Sequence, residues 1–298
     1  MPFARIILLL RAFYAVLNTK EMKSFLPILL AAMLALASCQ GYNALQKTTD
    51  YSYKYEVAKQ YFAEGQYNRS ALLLQEVVKP LKGTDRGEES LYLMGLANLR
   101  ARNYEAASNT FKTYYKSYPK GHYAEESRYN SGMALYLSVP EPKLDQSATY
   151  EAVTEFQNFI DTYPNSRLRA DAQERIFELQ EILVEKEYLT AKYYYDLGTY
   201  FLNGGNGNYN ACIVTAENAI KDYPFTLRRE DFAFLVLKAR FDYAKNSIEA
   251  KQEERYNAAI DEYYGFLSEY PESKHLKEAN AYLASVPQKF RRQTDSKD

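Results

Sequence analysis

Two cysteines, two histidines and thirty tyrosines are the groups in this 298-residue chain with chemistry to offer beyond ordinary charge. His122 and His275 lie far apart, so no histidine pair stands at helical spacing to hold a metal. Each reads as a surface residue at a helix start. Cys212 occupies a position where small residues recur, which favours buried packing over a nucleophile. Gly204-Gly205-Asn206-Gly207 lacks the Lys-Ser/Thr of a phosphate loop and follows a helical pattern, not a strand. The pairs Glu125-Glu126 and Glu253-Glu254 fit a solvated helix face better than an acid/base dyad. A net charge of -1 gives no footprint for nucleic acid. These residues predict a protein that is not an enzyme, holds no metal and needs no cofactor. Cys39 is the exception, because its surroundings mark its thiol for a covalent lipid.

The run Phe25 to Ala37 is apolar and uncharged, follows Lys23, and ends at Leu36-Ala37-Ser38-Cys39. A basic start, a short apolar stretch and small residues before a cut describe a secretory signal. The run is shorter than the roughly 20 residues of a membrane span. Leu-Ala-Ser-Cys resembles the bacterial lipobox, which implies cleavage before Cys39, diacylglycerol on its sulfur and a third chain on its new amine. Residues 1–38 are thus read as a cleaved signal peptide, with Met22 as the expected true start. Gln40 after the cysteine implies the outer membrane, and no acidic cluster follows, which points to the periplasmic face. Residues 39–50 form a polar tether, which at about 3.3–3.6 Å per residue reaches roughly 40 Å.

Everything downstream must be positioned by helices. From Tyr51 onward the apolar periodicity is helical. Tyr-Pro recurs at Tyr118-Pro119, Tyr163-Pro164, Tyr223-Pro224 and Tyr270-Pro271, each after an amphipathic stretch. Ser166, Thr226 and Ser273 follow three of these prolines by two residues and are expected helix N-caps. In residues 87–120, Leu91, Gly95, Tyr104, Ala107, Phe111 and Pro119 fit the tetratricopeptide pattern. The same frame fits residues 54–83, 124–164, 191–224 and 230–271. The expected fold is all-α: a tetratricopeptide-repeat solenoid of about five helix pairs over residues 51–285, with a C-terminal capping helix and a frayed polar tail at 286–298. A single repeat cannot bury its apolar face, whereas a stack can. Residues 166–202 contain no proline, and either one long helix or two broken near Glu185-Lys186-Glu187 would satisfy them.

Three residues before the small residue of each first helix stand Tyr55, Tyr92, Tyr129 and Tyr195, with Val236 in the fifth repeat. That position faces the concave groove in tetratricopeptide proteins. A tyrosine ladder there would pack against peptide side chains and hydrogen-bond a peptide backbone. The alternative is that these rings fill space between neighbouring helices.

The lipobox, the five repeats, Leu144-Asp145-Gln146-Ser147, Glu155-Phe156, Tyr163-Pro164-Asn165-Ser166, Asp171-Ala172 and the run Tyr193-Tyr194-Tyr195 leading to Gly198 together resemble the BamD family of outer-membrane protein assembly lipoproteins. The resemblance covers essentially the whole mature chain. It implies a lipid-anchored periplasmic subunit of the β-barrel assembly (BAM) complex. Its partners would be a BamA-like barrel-forming insertase, through its periplasmic domains, and unfolded outer-membrane proteins. It implies contact with the membrane through acyl chains only. The Gly/Asn-rich insertion before Tyr209 departs from the family's tighter turn. A generic tetratricopeptide lipoprotein scaffolding another envelope complex predicts the same fold. A SusD-type glycan binder is disfavoured, because those are longer and stack sugars on Trp, of which this chain has none.

Overall fold

The structure is a computed structural model describing residue 45, residues 48–200 and residues 207–291. Cys39, the signal segment and residues 292–298 lie outside the described residues. The described residues divide into two compact units, one ending at Arg102 and the other beginning at Asn103. Among the described residues the regular structure is helical, and none of these helices is long and apolar enough to cross a membrane.

The first unit contains α1 (Tyr51–Ala63), α2 (Tyr67–Val78) and α3 (Asp85–Arg100). Asp50 caps α1 by accepting from the Tyr53 amide at 2.9 Å, and Thr84 caps α3 by accepting from Gly87 at 3.2 Å. The core gathers Leu45, Tyr55, Ala58, Leu73, Leu74 and Val77. Ala58 is small enough for α2 to approach the α1 backbone. There the Ser70 hydroxyl donates to the Ala58 carbonyl at 2.8 Å. Gly87 is required by a similar closeness: a Cβ there would stand 2.1 Å from the Leu81 carbonyl oxygen.

The second unit contains α4 (Tyr104–Ser117), α5 (Ala124–Ser138), α6 (Ser147–Thr162), α7 (Arg169–Leu197), α8 (Gly207–Asp222), α9 (Arg229–Lys245), α10 (Glu249–Glu269) and α11 (Leu276–Ala284). A 3₁₀ turn at Gln288–Phe290 follows. The element order is that of five helix pairs and a closing helix. Consecutive helices of this unit pack on one another and enclose three apolar clusters. One holds Leu135, Ala152, Phe156, Phe159, Ala172 and Leu179. The next holds Val184, Ala191, Cys212, Ala216, Phe232 and Ala239, and the last holds Leu237, Phe241, Tyr256, Tyr263, Phe266 and Val286.

The Tyr-Pro punctuation has a common geometry. Tyr118, Tyr163 and Tyr270 each close a helix with φ near -125° to -129° and ψ near 65°, because the following proline excludes the helical conformation. Each still donates its amide to the carbonyl four residues back, at 2.8–2.9 Å. Each ring also packs on an aromatic one turn earlier: Tyr114, Phe159 and Phe266, at 5.3–5.7 Å.

Ser166, Thr226 and Ser273 are not the N-caps expected of them. The caps are Leu168, Arg228 and His275, two residues later. Each hydroxyl instead accepts the amide two residues on, at 3.0–3.2 Å, and donates to a glutamate on an earlier helix. The pairs are Ser166–Glu125 at 2.6 Å, Thr226–Glu181 at 3.2 Å and Ser273–Glu230 at 2.6 Å. The side chain shapes the turn and ties it down, while the helix begins beyond it.

Residues 169–197 form one helix of 29 residues, about 44 Å long at 1.5 Å per residue, with no break at Glu185-Lys186-Glu187. It is the first helix of the fourth pair, lengthened at its N-terminal end. Its first half packs Ala172 and Leu179 into one cluster, and its second half packs Val184 and Ala191 into the next. Gly198 ends it at φ +51°, a left-handed conformation suited to glycine.

The C-terminal tail also differs from expectation at its start. Val286 is 1% exposed, Phe290 stacks on Tyr256 at 5.2 Å, and Arg291 donates to the Ala284 and Val286 carbonyls at 2.7 and 3.0 Å. Residues 286–291 therefore close the last cluster. Two apolar side chains spaced among polar ones suffice for this, and a composition-based reading does not register them.

Candidate functional site

The ladder tyrosines lie on first helices, as the repeat frame requires, but the hydroxyls of Tyr55, Tyr129 and Tyr195 are already engaged. Tyr55 on α1 is 3% exposed. Its hydroxyl bonds Glu89 on α3 and accepts from Lys59 at 3.3 Å, and Lys59 pairs with Glu89 at 2.9 Å. Tyr92 is half-buried on α3.

In the second unit, Tyr129 on α5 donates to Asp171 on α7, with its ring edge-on to Phe156 and Phe159 at 5.8 and 5.5 Å. Tyr195 on α7 donates to Asp242 on α9 at 2.6 Å and lies 3.1 Å from the Tyr282 hydroxyl. Val236 is buried. Three of the four hydroxyls thus reach a carboxylate on the next first helix. The phenolic protons of these three are spent within the chain, so toward a peptide backbone their hydroxyls could only accept. The side chains of Tyr55, Tyr129 and Tyr195 thus link adjacent first helices within each unit.

These bonds raise the tyrosine pKa values. Burial comes first for Tyr55, Tyr129 and Tyr195, followed by the hydrogen bond to the neighbouring carboxylate, because a phenolate beside a carboxylate is disfavoured. Glu89 moves the other way, lowered chiefly by the bond it receives from Tyr55.

The α5–α7 seam has a second tie that the small-residue register does not reveal. Tyr136 donates to Glu178 at 2.7 Å. Arg175 lies between, bonding Glu178 at 2.6 Å and Asp171 at 3.3 Å, with its guanidinium 5.3 Å from the Tyr136 ring centroid. Tyr136 and Glu178 each stand seven residues after Tyr129 and Asp171, two turns along the same faces, and that spacing was the available signal.

Around the middle of α7 the chain exposes large apolar side chains. Phe225 and Leu227, in the loop before α9, are 88% and 80% exposed, and Leu144 and Tyr150 are also exposed. The long helix brings their two segments together. Lys186 donates to the Leu144 carbonyl at 3.1 Å, Tyr150 hydrogen-bonds Tyr223, and the Leu227 amide donates to Glu181 at 3.4 Å. Repeats of equal length would hold these loops at opposite ends.

The remaining reactive groups are placed structurally. Cys212 is fully buried, and burial pushes its thiol up to about 12, so it packs as a small apolar residue. His122 is exposed beside Tyr123. His275 departs from its expected surface setting: it stacks on Phe234 at 4.1 Å and lies 3.4 Å from Asp231. Among the described residues no group of three His, Cys, Asp or Glu is placed to hold a metal ion.

A family model described as YfiO, outer membrane lipoprotein, matches residues 47–203. Curated relatives carry the name outer membrane protein assembly factor BamD. The protein of Pasteurella multocida is 23% identical over 185 residues, covering 59% of this chain and 70% of that one. That of Caulobacter vibrioides is 22% identical, covering 56% and 57%, and that of Xylella fastidiosa 21%, covering 62% and 67%. A solved structure of kinesin-light-chain TPR-like repeats from Podosopora anserina aligns at 13% identity and TM-score 0.34, covering 74% of this chain and 96% of that one.

Proposed function

The chain belongs to the YfiO family of outer membrane lipoproteins, and on that premise we propose that it is an outer-membrane protein assembly factor. It acts without catalysis. Diacylglycerol on Cys39 and an acyl chain on its amine hold it to the periplasmic face of the outer membrane. Two or more chains make such an anchor stable, at about 0.8 kcal/mol per buried CH₂. Residues 39–50 keep the helical body near the membrane.

The partners in this reading are the periplasmic domains of a barrel-forming insertase and unfolded outer-membrane proteins. The exposed apolar edge along α7, with Leu144, Tyr150, Phe225 and Leu227, is the face assigned to the insertase. Apolar side chains gathered from the segment entering α6 and the loop before α9 are the usual mark of a protein interface. A substrate peptide would meet the half-buried ring edges of Tyr92, Tyr129 and Tyr195 and not their hydroxyls, and Tyr55 would act only as a brace.

The observation that carries the reading is the family match over residues 47–203, supported by the names of the relatives. Mild-detergent purification of the mature chain, tagged at Asp298, tests it by mass spectrometry of what co-purifies. A large outer-membrane barrel with periplasmic repeat domains, at near-stoichiometric yield, is expected. Recovery of a different envelope complex would move the function to a generic lipoprotein scaffold.

A further inference from the structure

Asp242 differs from the other carboxylates bonded to ladder tyrosines. Glu89 has Lys59, and Asp171 has Arg175. Asp242 receives the Tyr195 hydroxyl at 2.6 Å, and the Tyr282 hydroxyl lies 3.1 Å from that of Tyr195, but among the described residues no basic nitrogen pairs with Asp242. Lys238, one turn earlier on α9, is turned toward Glu278 at 3.2 Å and lies 5.0 Å from the Tyr195 ring centroid.

Asp242 lines a cleft of about 380 Å³ between α9, α10 and α11. Phe241, Tyr256 and Tyr282 form its aromatic walls, with Glu278 on one side and the exposed Lys245 at the rim. The walls are fixed: Phe241 stacks on Tyr282 at 5.7 Å, and Tyr256 is pinned by Phe290 at 5.2 Å. A half-buried carboxylate held by the Tyr195 phenol, beside aromatic rings, suits a cation. The rings attract it through their quadrupoles, and the carboxylate supplies charge that water screens poorly there. A guanidinium fits better than an ammonium, because it is planar, stacks on rings and is weakly hydrated. The Lys245 ammonium opposes such a guest only weakly, since an exposed charge is screened.

We propose that this cleft binds an arginine side chain presented by a partner polypeptide, with Asp242 as its counter-ion. The site is separate from the edge along α7, so the insertase reading stands or falls without it.

Fluorescence anisotropy of labelled Ac-Gly-Arg-Gly-NH₂ on the detergent-solubilised mature protein tests the proposal, with the citrulline peptide as neutral isostere. The arginine peptide is expected to bind at least about ten-fold tighter, the worth of one well-placed charge contact. Asp242→Asn should erase that difference while leaving citrulline binding unchanged. Lys245→Ala, exposed and outside the core, should tighten arginine binding about two-fold, the scale of one screened charge. Equal affinity for the two peptides, or no arginine binding up to about 10 mM, beyond the weak end of the affinity scale, would overturn it. Lys245→Ala keeps the test valid should Asp242→Asn fail to fold.

Discussion

The α5–α7 seam and the α7–α9 seam use the same device with different endings. In the first, Tyr129 and Tyr136 meet Asp171 and Glu178, and Arg175 neutralises both carboxylates. In the second, Tyr195 meets Asp242 with a second phenol in place of the cation. A tyrosine–carboxylate strut is thus a joint with an optional third member. Where the third member is internal the joint is closed, and where it is missing the carboxylate keeps capacity for something outside.

The largest expected effect removes the backing of the closed joint. Phe156 is fully buried and would lie 3.0 Å from a Cβ at position 132, so its ring fills the space that Gly132 leaves. Phe156→Ala should cost about 3–5 kcal/mol, read as a lowered urea midpoint. Next come the hydroxyls themselves. Tyr195→Phe should cost about 1–3 kcal/mol, because Asp242 then loses its hydrogen-bonded phenol and has no cation, whereas Tyr129→Phe should cost nearer 1 kcal/mol, because Arg175 still covers Asp171. Equal losses in chemical denaturation would show that the missing cation does not distinguish the joints.

Alkaline pH probes both joints together. The Tyr115, Tyr223 and Tyr270 hydroxyls are pushed up to about 12, mainly by burial, and Tyr129 and Tyr195 are raised as well. The unfolded chain releases these protons near pH 10 while the folded chain retains them. The stability they contribute is therefore complete below about pH 10 and is lost as pH rises through the folded values. Denaturation midpoints at pH 8, 10 and 11 should be level and then fall, and a midpoint still level at pH 11 would contradict the struts. The smallest effect on stability is expected from Phe225→Ser, within about 0.5 kcal/mol for so exposed a residue, and under the proposed function this variant should lower the yield of the co-purified barrel.

Much of this architecture was legible because its signals are local. Proline after tyrosine forces the backbone out of the helix at a fixed place, so Tyr118, Tyr163 and Tyr270 mark boundaries that can be read directly. The small residues Ala58 and Gly132 likewise mark close helix approaches. The ladder register correctly placed four tyrosines on first helices. The role of Tyr55, Tyr129 and Tyr195 was not legible, because each partner carboxylate belongs to another repeat and no local spacing links them. Asp242 carried no sequence signal at all. The continuity of α7 was undecidable for the opposite reason: no proline or glycine interrupts residues 169–197, and only its membership of two cores fixes it as one rod.

That shared rod has a thermodynamic consequence. In a repeat array each unit can melt with only an interfacial penalty separating it from its neighbours. Here the neighbouring cores centred on Phe156 and Phe232 are spliced through one backbone, so fraying one removes a wall of the other. Hydrogen exchange along α7 should therefore show a single opening free energy from Ala172 to Ala191, making the third and fourth repeats one cooperative foldon.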